Sequence, residues 1–439
     1  MDVAATEGSD SGYPSRGYAW TVVAILIGTA IVSYTDRQVL SLLVDPIRRD
    51  LSIGDTRMSL LLGTAFAVVY GVAGLPLGWL ADRVSRRNLI VAGIAVWSLG
   101  TIACGLSRNF DELFASRVFV GLGEAVLSPA AISLISDYFP PSRRGTAVGA
   151  FLSGIAIGIG ASILIGGGVL QAVEAGVFAS TPLATLAAWR LVLILIGVPG
   201  LLWTAAIFVI REPARRGAAS TAGAGAVGGP RDRPVDRRRL RLVAPIYVVV
   251  AAASLVDNAV GAWAPTLLIR EFHRDAARVG VQLGLYLTIA FGVGVLLGGW
   301  LADRAAARGG LSRKLGVCIL AATGILPIAA LIASPRFPVV MAAVPSYFAL
   351  SGIVTAAGFS AILDLVPAQS RGLAMAISFF LNVAIGAGLG PTAVAVTAAR
   401  VHGAASGLAA GLSLTAAGGY GLALASAALG WVLVSRRTQ

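Results

Sequence analysis

Apolar residues run along this chain in long, nearly unbroken blocks, and polar residues collect in the short stretches between them. A membrane-spanning helix needs about 20 predominantly apolar residues. Blocks of that length predict twelve spans, near 18–43, 57–81, 88–107, 110–138, 143–171, 188–210, 241–269, 280–302, 313–333, 337–364, 370–399 and 405–435. The first holds Asp36-Arg37-Gln38 inside its apolar run, and the fifth is rich in glycine.

The pattern repeats at half-length. Gly78-Trp79-Leu80-Ala81-Asp82-Arg83 returns as Gly299-Trp300-Leu301-Ala302-Asp303-Arg304, 221 residues later. At the same offset Ser33-Tyr34-Thr35-Asp36 aligns with Ser254-Leu255-Val256-Asp257. Asp137-Tyr138-Phe139-Pro140 aligns with Asp364-Leu365-Val366-Pro367 at an offset of 227. The matched residues are mostly polar or turn residues, so shared hydrophobicity does not account for them. A duplicated apolar unit predicts an all-α membrane protein, with twelve transmembrane helices in two six-helix bundles. The expected organisation is an N-terminal tail (1–17), a first bundle (18–210), a basic linker (211–240), a second bundle (241–435) and a short tail (436–439).

Composition agrees: 57% of residues are hydrophobic and 13% charged, against ~25% charged in a soluble domain. The net charge of +13 would point to nucleic acid in a soluble protein. Here the basic residues are spread over many short loops without interleaved aromatics, so no nucleic-acid partner is expected. Residues 211–241 hold nine arginines, and this side of the membrane carries 22 of the 34 basic residues against ten on the other. The positive-inside rule then places both termini and the linker in the cytoplasm. The first 15 residues do not form a signal peptide. Arginine outnumbers lysine 33 to one, which with the Ala/Gly richness points to a GC-rich bacterium and its inner membrane.

Several chemistries are not expected. Cys104 and Cys318 lie within spans, which argues against disulfides and thiolate metal sites. His273 and His402 fall in outer loops, so a buried histidine relay is not expected. There is no GxxxxGK[ST] loop for ATP, and no serine or cysteine nucleophile motif. The chain reads as a non-enzyme with no cofactor and no metal, and with the proton as its coupling ion.

The informative residues are the few charges inside the spans. An ionisable group at mid-bilayer costs roughly 2.5–3.5 kcal/mol even on the lenient insertion scale, so it marks a pathway or a relay. Five stand out: Asp36, Arg37, Arg117, Glu124 and Asp257. Arg117 and Glu124, seven apart, share a helix face and lie about two turns apart. Asp36 and Arg37 fall at a depth between them, so the four can form two compensating acid–base pairs. The second half does not reproduce this cluster. Asn258 stands where Arg37 would be, and Val344 and Ser351 stand where Arg117 and Glu124 would be. Proton handling is thus expected in the first half, with the second shaping a cavity through Asp257, Asn258, Tyr286, Tyr347 and Asn382.

The run Gly78-x-Leu80-Ala81-Asp82-Arg83-x-x-Arg86-Arg87 resembles the loop 2–3 signature of the major facilitator superfamily. Its second copy, with Gly299, Asp303 and Arg304, falls at the loop 8–9 position, with Ala307 in place of the first paired arginine. The stretches Tyr34–Leu40, Gly74–Gly78 and Gly121–Ala125 are similar to the spinster-like branch. The resemblance implies twelve helices and alternating access around a central site. It also implies that the functional charges are Asp36, Arg37, Arg117 and Glu124, the same four singled out by burial cost. Animal members of the branch are linked to lysophospholipid and sphingolipid export. Contacts of the loop signature are expected to hold the cytoplasmic side shut. Where the superfamily's export motif has a proline, the fifth span has Ile159 after Gly158, so the direction of transport stays open.

The expected function is proton-coupled secondary transport of an amphipathic or lipid-like anion by a monomer amid membrane lipids. The alternatives are a same-fold transporter of small organic acids, sugars or drugs, and a non-transporting receptor or scaffold.

Overall fold

The computed structural model describes residues 13–81, 83–213, 237–366, 371–401 and 407–438. These residues are helical almost throughout, with no strand among them. Asp82, His402 and the greater part of the linker fall outside the described residues.

In the first half, α1 is Arg16–Gln38, α2 is Ala65–Ala81 preceded by a wide turn at Leu60–Thr64, and α3 is Arg86–Leu106. Helix α4 runs as Phe110–Glu124 and Leu127–Tyr138, α5 is Pro141–Glu174, and α6 is Ala188–Ile207. In the second half, α7 is Arg237–Phe272. Helical hydrogen bonding then continues through all 57 residues of Ala276–Ile332. Eleven helices among the described residues are long and apolar enough to cross a membrane, and this one contains two of the expected spans. Its backbone leaves the helix at Gly309 and Gly310, where φ of 65° at Gly310 suits glycine. We therefore treat 276–308 as α8 and 311–332 as α9. Helix α10 is Phe337–Leu365. Helix α11 comprises Arg371–Leu381, a wide turn at Asn382–Ala387, and Gly388–Arg400, and α12 is Gly407–Thr438.

Turn chemistry sets several starts. Asn109 accepts the Glu112 backbone N–H at 2.9 Å before α4, and Asp275 accepts that of Arg278 at 2.8 Å before α8. Each cap satisfies a helix-end donor that would otherwise be orphaned.

The bundles meet at the face distant from the chain termini, here called the distal face. Helix α5 lies against α8 there with glycine facing glycine. A Cβ at Gly167 would fall 2.7 Å from the Gly280 carbonyl carbon. The fifth span's glycines thus serve close helix approach. Helix α2 meets α11 in the same way: Thr64 donates its hydroxyl to the Gly388 carbonyl at 3.0 Å, and Ser59 and Thr392 pair at 3.4 Å. Helix α7 joins the end of α1 through Thr266, which donates to the Ser41 carbonyl at 3.1 Å. Among the described residues, the hydrogen bonds and ion pairs joining the two bundles all lie on this side. Toward the terminal face, Val72 and Trp79 of α2, Leu296 and Trp300 of α8 and Phe380 of α11 are exposed. The ties between the bundles close the distal face.

Candidate transport site

Helix α1 brings in Asp36 and Arg37, and α4 brings in Arg117 and Glu124. Close contact of α3 and α4 fixes the depth of Glu124: a Cβ at Gly93 would fall 2.8 Å from the Gly123 carbonyl oxygen. The structure brings the four charges together. Arg37 Nη2 donates to Glu124 Oε2 at 2.5 Å, with the arginine side chain 15% exposed and the glutamate 1%. The guanidinium lies 3.9 Å from the Phe66 ring centre, with Tyr34 and Tyr70 at 4.8 and 5.8 Å. Its charge is thereby stabilised on two sides, by a carboxylate and by aromatic faces.

The second expected pair takes a different form. Arg117 is buried, and it donates Nη1 to the Asp36 backbone carbonyl and Nε to the Leu61 carbonyl, both at 3.3 Å. The Asp36 carboxylate lies in the same pocket, with Arg117, Glu124 and Thr101 around it. Neither of its oxygens has a hydrogen-bond partner, because Thr101 donates its hydroxyl to Trp97 at 3.1 Å. Glu124 Oε1 and Arg37 Nε are also buried without partners. Unpartnered polar atoms concentrated at one place are what a proton relay or a ligand subsite requires.

In the second bundle, Asp257 Oδ1 accepts hydrogen bonds from Tyr347 at 2.6 Å and Ser351 at 2.5 Å. Asn258 donates to the Ser254 carbonyl at 2.9 Å, and Asn382 donates to the Ser254 hydroxyl. Four of the five expected cavity residues therefore share one region. Tyr286 does not. It lies half exposed with Met341 and Pro345 in a groove of about 590 Å³ between α8 and α10.

The repeated loop behaves differently in its two copies. Arg86 is buried and bonds within the first bundle to Asp137, to Glu212 Oε1 at 2.8 Å and to Ser133 Oγ at 3.1 Å. Glu212 also accepts from Ser85 and from the Arg87 backbone N–H, both at 2.9 Å. Burial alone would raise the Glu212 carboxyl, but these donors together hold it below the ordinary 4.5. Arg83 stacks over Trp79 at 3.5 Å, and Gly78 has only Pro129 close by, at 3.9 Å. In the second copy Gly299 faces open space, Arg304 sits over Trp300, and Asp303 is exposed. The anchoring there falls to Lys314, which pairs with Asp364 at 2.5 Å and Ser360 at 2.9 Å. The Arg86 contacts lie within the first bundle, and Asp82, at the centre of the first copy, falls outside the described residues.

Sequence reasoning missed the ties that seal the distal face. Arg270 of α7 bonds to Asp45 at 2.7 Å and to Asp55 at 3.0 Å, both from the segment linking α1 and α2. Arg48 reaches the same Asp55 at 3.1 Å.

Residues 26–391 match the family model described as Major Facilitator Superfamily. This chain belongs to the major facilitator superfamily. It is accordingly a membrane transporter and not an enzyme. An MFS-type efflux pump of Mycolicibacterium smegmatis is 28% identical to this superfamily member over 396 residues, 89% of this chain and 86% of that protein. A D-galactonate transporter of Escherichia coli is 28% identical over 329 residues, 69% of this chain and 71% of that protein. Its fold is shared with a bacterial homologue of the human lysosomal transporter Spinster, solved inward-facing and unoccupied. The TM-score is 0.76 at 22% identity, over 96% of this chain and 98% of that one.

Proposed function

We propose that this transporter is proton-coupled and carries an amphipathic or lipid-like molecule with an acidic head group. The single observation behind this is the Arg37–Glu124 pair. It joins a largely buried carboxylate to an arginine that still reaches the cavity. Ionised Glu124 occupies Arg37. A proton on Glu124 weakens that bond and frees the guanidinium for a substrate anion, so proton uptake and anion binding are linked. Asp36, behind Arg117, is the second carboxylate of the relay. With the basic loops on the cytoplasmic side of a bacterial inner membrane, the distal face is periplasmic. Alternating access then requires the Arg270 ties to break when that face opens.

A second substrate reading, a small organic acid, is favoured by the likeness to the D-galactonate transporter. Thermal stabilisation of the purified protein by D-galactonate, or by a lysophospholipid below its micellar concentration, separates the two. Whichever binds is then assayed in proteoliposomes. Glu124→Gln should lose pH-gradient-driven transport by about 100-fold or more while substrate exchange persists, since a relay carboxylate contributes about 10²–10⁴-fold. Undiminished gradient-driven transport in this variant would refute the coupling.

A further inference from the structure

Asp257 occupies in α7 the repeat position that Asp36 occupies in α1, yet its surroundings are of another kind. Tyr347 and Ser351, its two donors among the described residues, lie one helical turn apart on α10, and both address Oδ1. Tyr347 is held in place by edge-on packing against Phe348 at 5.1 Å and Tyr420 at 5.7 Å. Among the described residues no arginine, lysine or histidine pairs with Asp257. Among the described residues no donor addresses Oδ2. Asp257 is only partly buried.

The charge balance across the cavity is therefore uneven. Asp36, Arg37, Arg117 and Glu124 cancel among themselves, and Asp257 is left over. A carboxylate fixed by two hydroxyl donors presents its other oxygen as an acceptor. Held away from bulk water without a counter-ion, it is costly until a cation arrives. Asp257 and Arg37 are linked through α11. Asn258 lies 2.9 Å from where a Cβ on Gly386 would sit. The next residue, Ala387, packs with Val383, Ala67 and Tyr70, and Tyr70 faces Arg37.

We propose that Asp257 is the docking carboxylate for an N–H-bearing cationic group of the transported molecule, which thus carries an ammonium as well as an acid. This rests on the reading of the cavity as the substrate site, with Arg37 taking the acidic end.

The test uses two matched pairs of probes on the full-length protein in maltoside micelles, with affinities by titration calorimetry. One pair is lysophosphatidylethanolamine and lysophosphatidic acid of equal chain length. The other is D-glucosaminate and D-gluconate. In at least one pair the ammonium-bearing member should bind wild type about 10–100-fold tighter, the range of one charge-assisted hydrogen bond. Asp257→Asn should erase that preference and leave the acid-only member within about threefold, and Asp257→Glu should keep part of it. Should the Asn variant fail to fold, the wild-type ranking and the Glu variant decide the matter. Equal affinities within both pairs, with Arg37→Ala still weakening the acid-only members, overturn this proposal and leave the substrate-site reading standing. An equal loss for both members in Asp257→Asn shows a structural role and also overturns it. If no probe binds wild type, both fall together.

Discussion

The two bundles place an aspartate at the same repeat position and surround it in opposite ways. In the first, Asp36 is enclosed with Arg117 and Glu124, and its carboxylate has no hydrogen bond. In the second, Ser351 stands where Glu124 would be, and it donates directly to Asp257. Val344 replaces Arg117. The fold therefore does not need buried charges at these positions, since the second half packs without them. On the proposed reading the charges of the first half serve chemistry, while the hydroxyls of the second hold one carboxylate still.

The sharpest way to break this comparison is to remove Arg117. Arg117→Met leaves Asp36 buried without a cation and should cost about 3–5 kcal/mol, read as a large fall in melting temperature. Adding Asp36→Asn should restore most of that loss, because it removes the uncompensated carboxylate. A small effect of the single change would mean that Asp36 is already uncharged in the folded protein.

Arg270→Gln comes next, because it cuts a tie between bundles and not one within a bundle. Its partners are partly exposed, so an effect of about 1–2 kcal/mol is expected, or about tenfold in conformer populations. Spin-label distances across the distal face should show more of the open form. Unchanged distances would assign the seal to the α5–α8 and α2–α11 contacts alone.

The smallest effect is a signature of pH. The donors around Glu212 lower its folded-state value below 4.5. Its contribution is therefore present above the unfolded value and lost as pH falls through the lowered folded one. Glu212→Gln should lower the melting temperature modestly at pH 7, by less than about 1 kcal/mol, and the difference from wild type should vanish in acid. Lys314→Met in the second half should lack that dependence on Glu212. Parallel pH profiles for wild type and Glu212→Gln would show that Glu212 contributes nothing.

Much of this arrangement was legible before the fold. Asp36, Arg37, Arg117 and Glu124 stood out because charge inside an apolar run is costly, and the separate spans expected at 280–302 and 313–333 divided α8 from α9. Other features were hidden for physical reasons. Arg270, Asp45 and Asp55 lie near helix ends, where charges serve topology as readily as a gate. Phe66 and Tyr70 are ordinary span residues until helix rotation points them at Arg37. Tyr286 and Tyr347 are the same residue type, and only the helix faces they occupy place one in a groove and the other on Asp257. The anchoring by Lys314 was obscured because the repeat offset shifts from 221 to 227 between the two anchors.

The seam where Gly167 meets Gly280 joins main chain to main chain. A joint of that kind reads no side-chain identity, so residues lining the cavity can be exchanged over evolutionary time without disturbing how the halves rock. One mechanical frame can then diversify toward unlike cargoes, with novelty confined to the few positions that face the substrate.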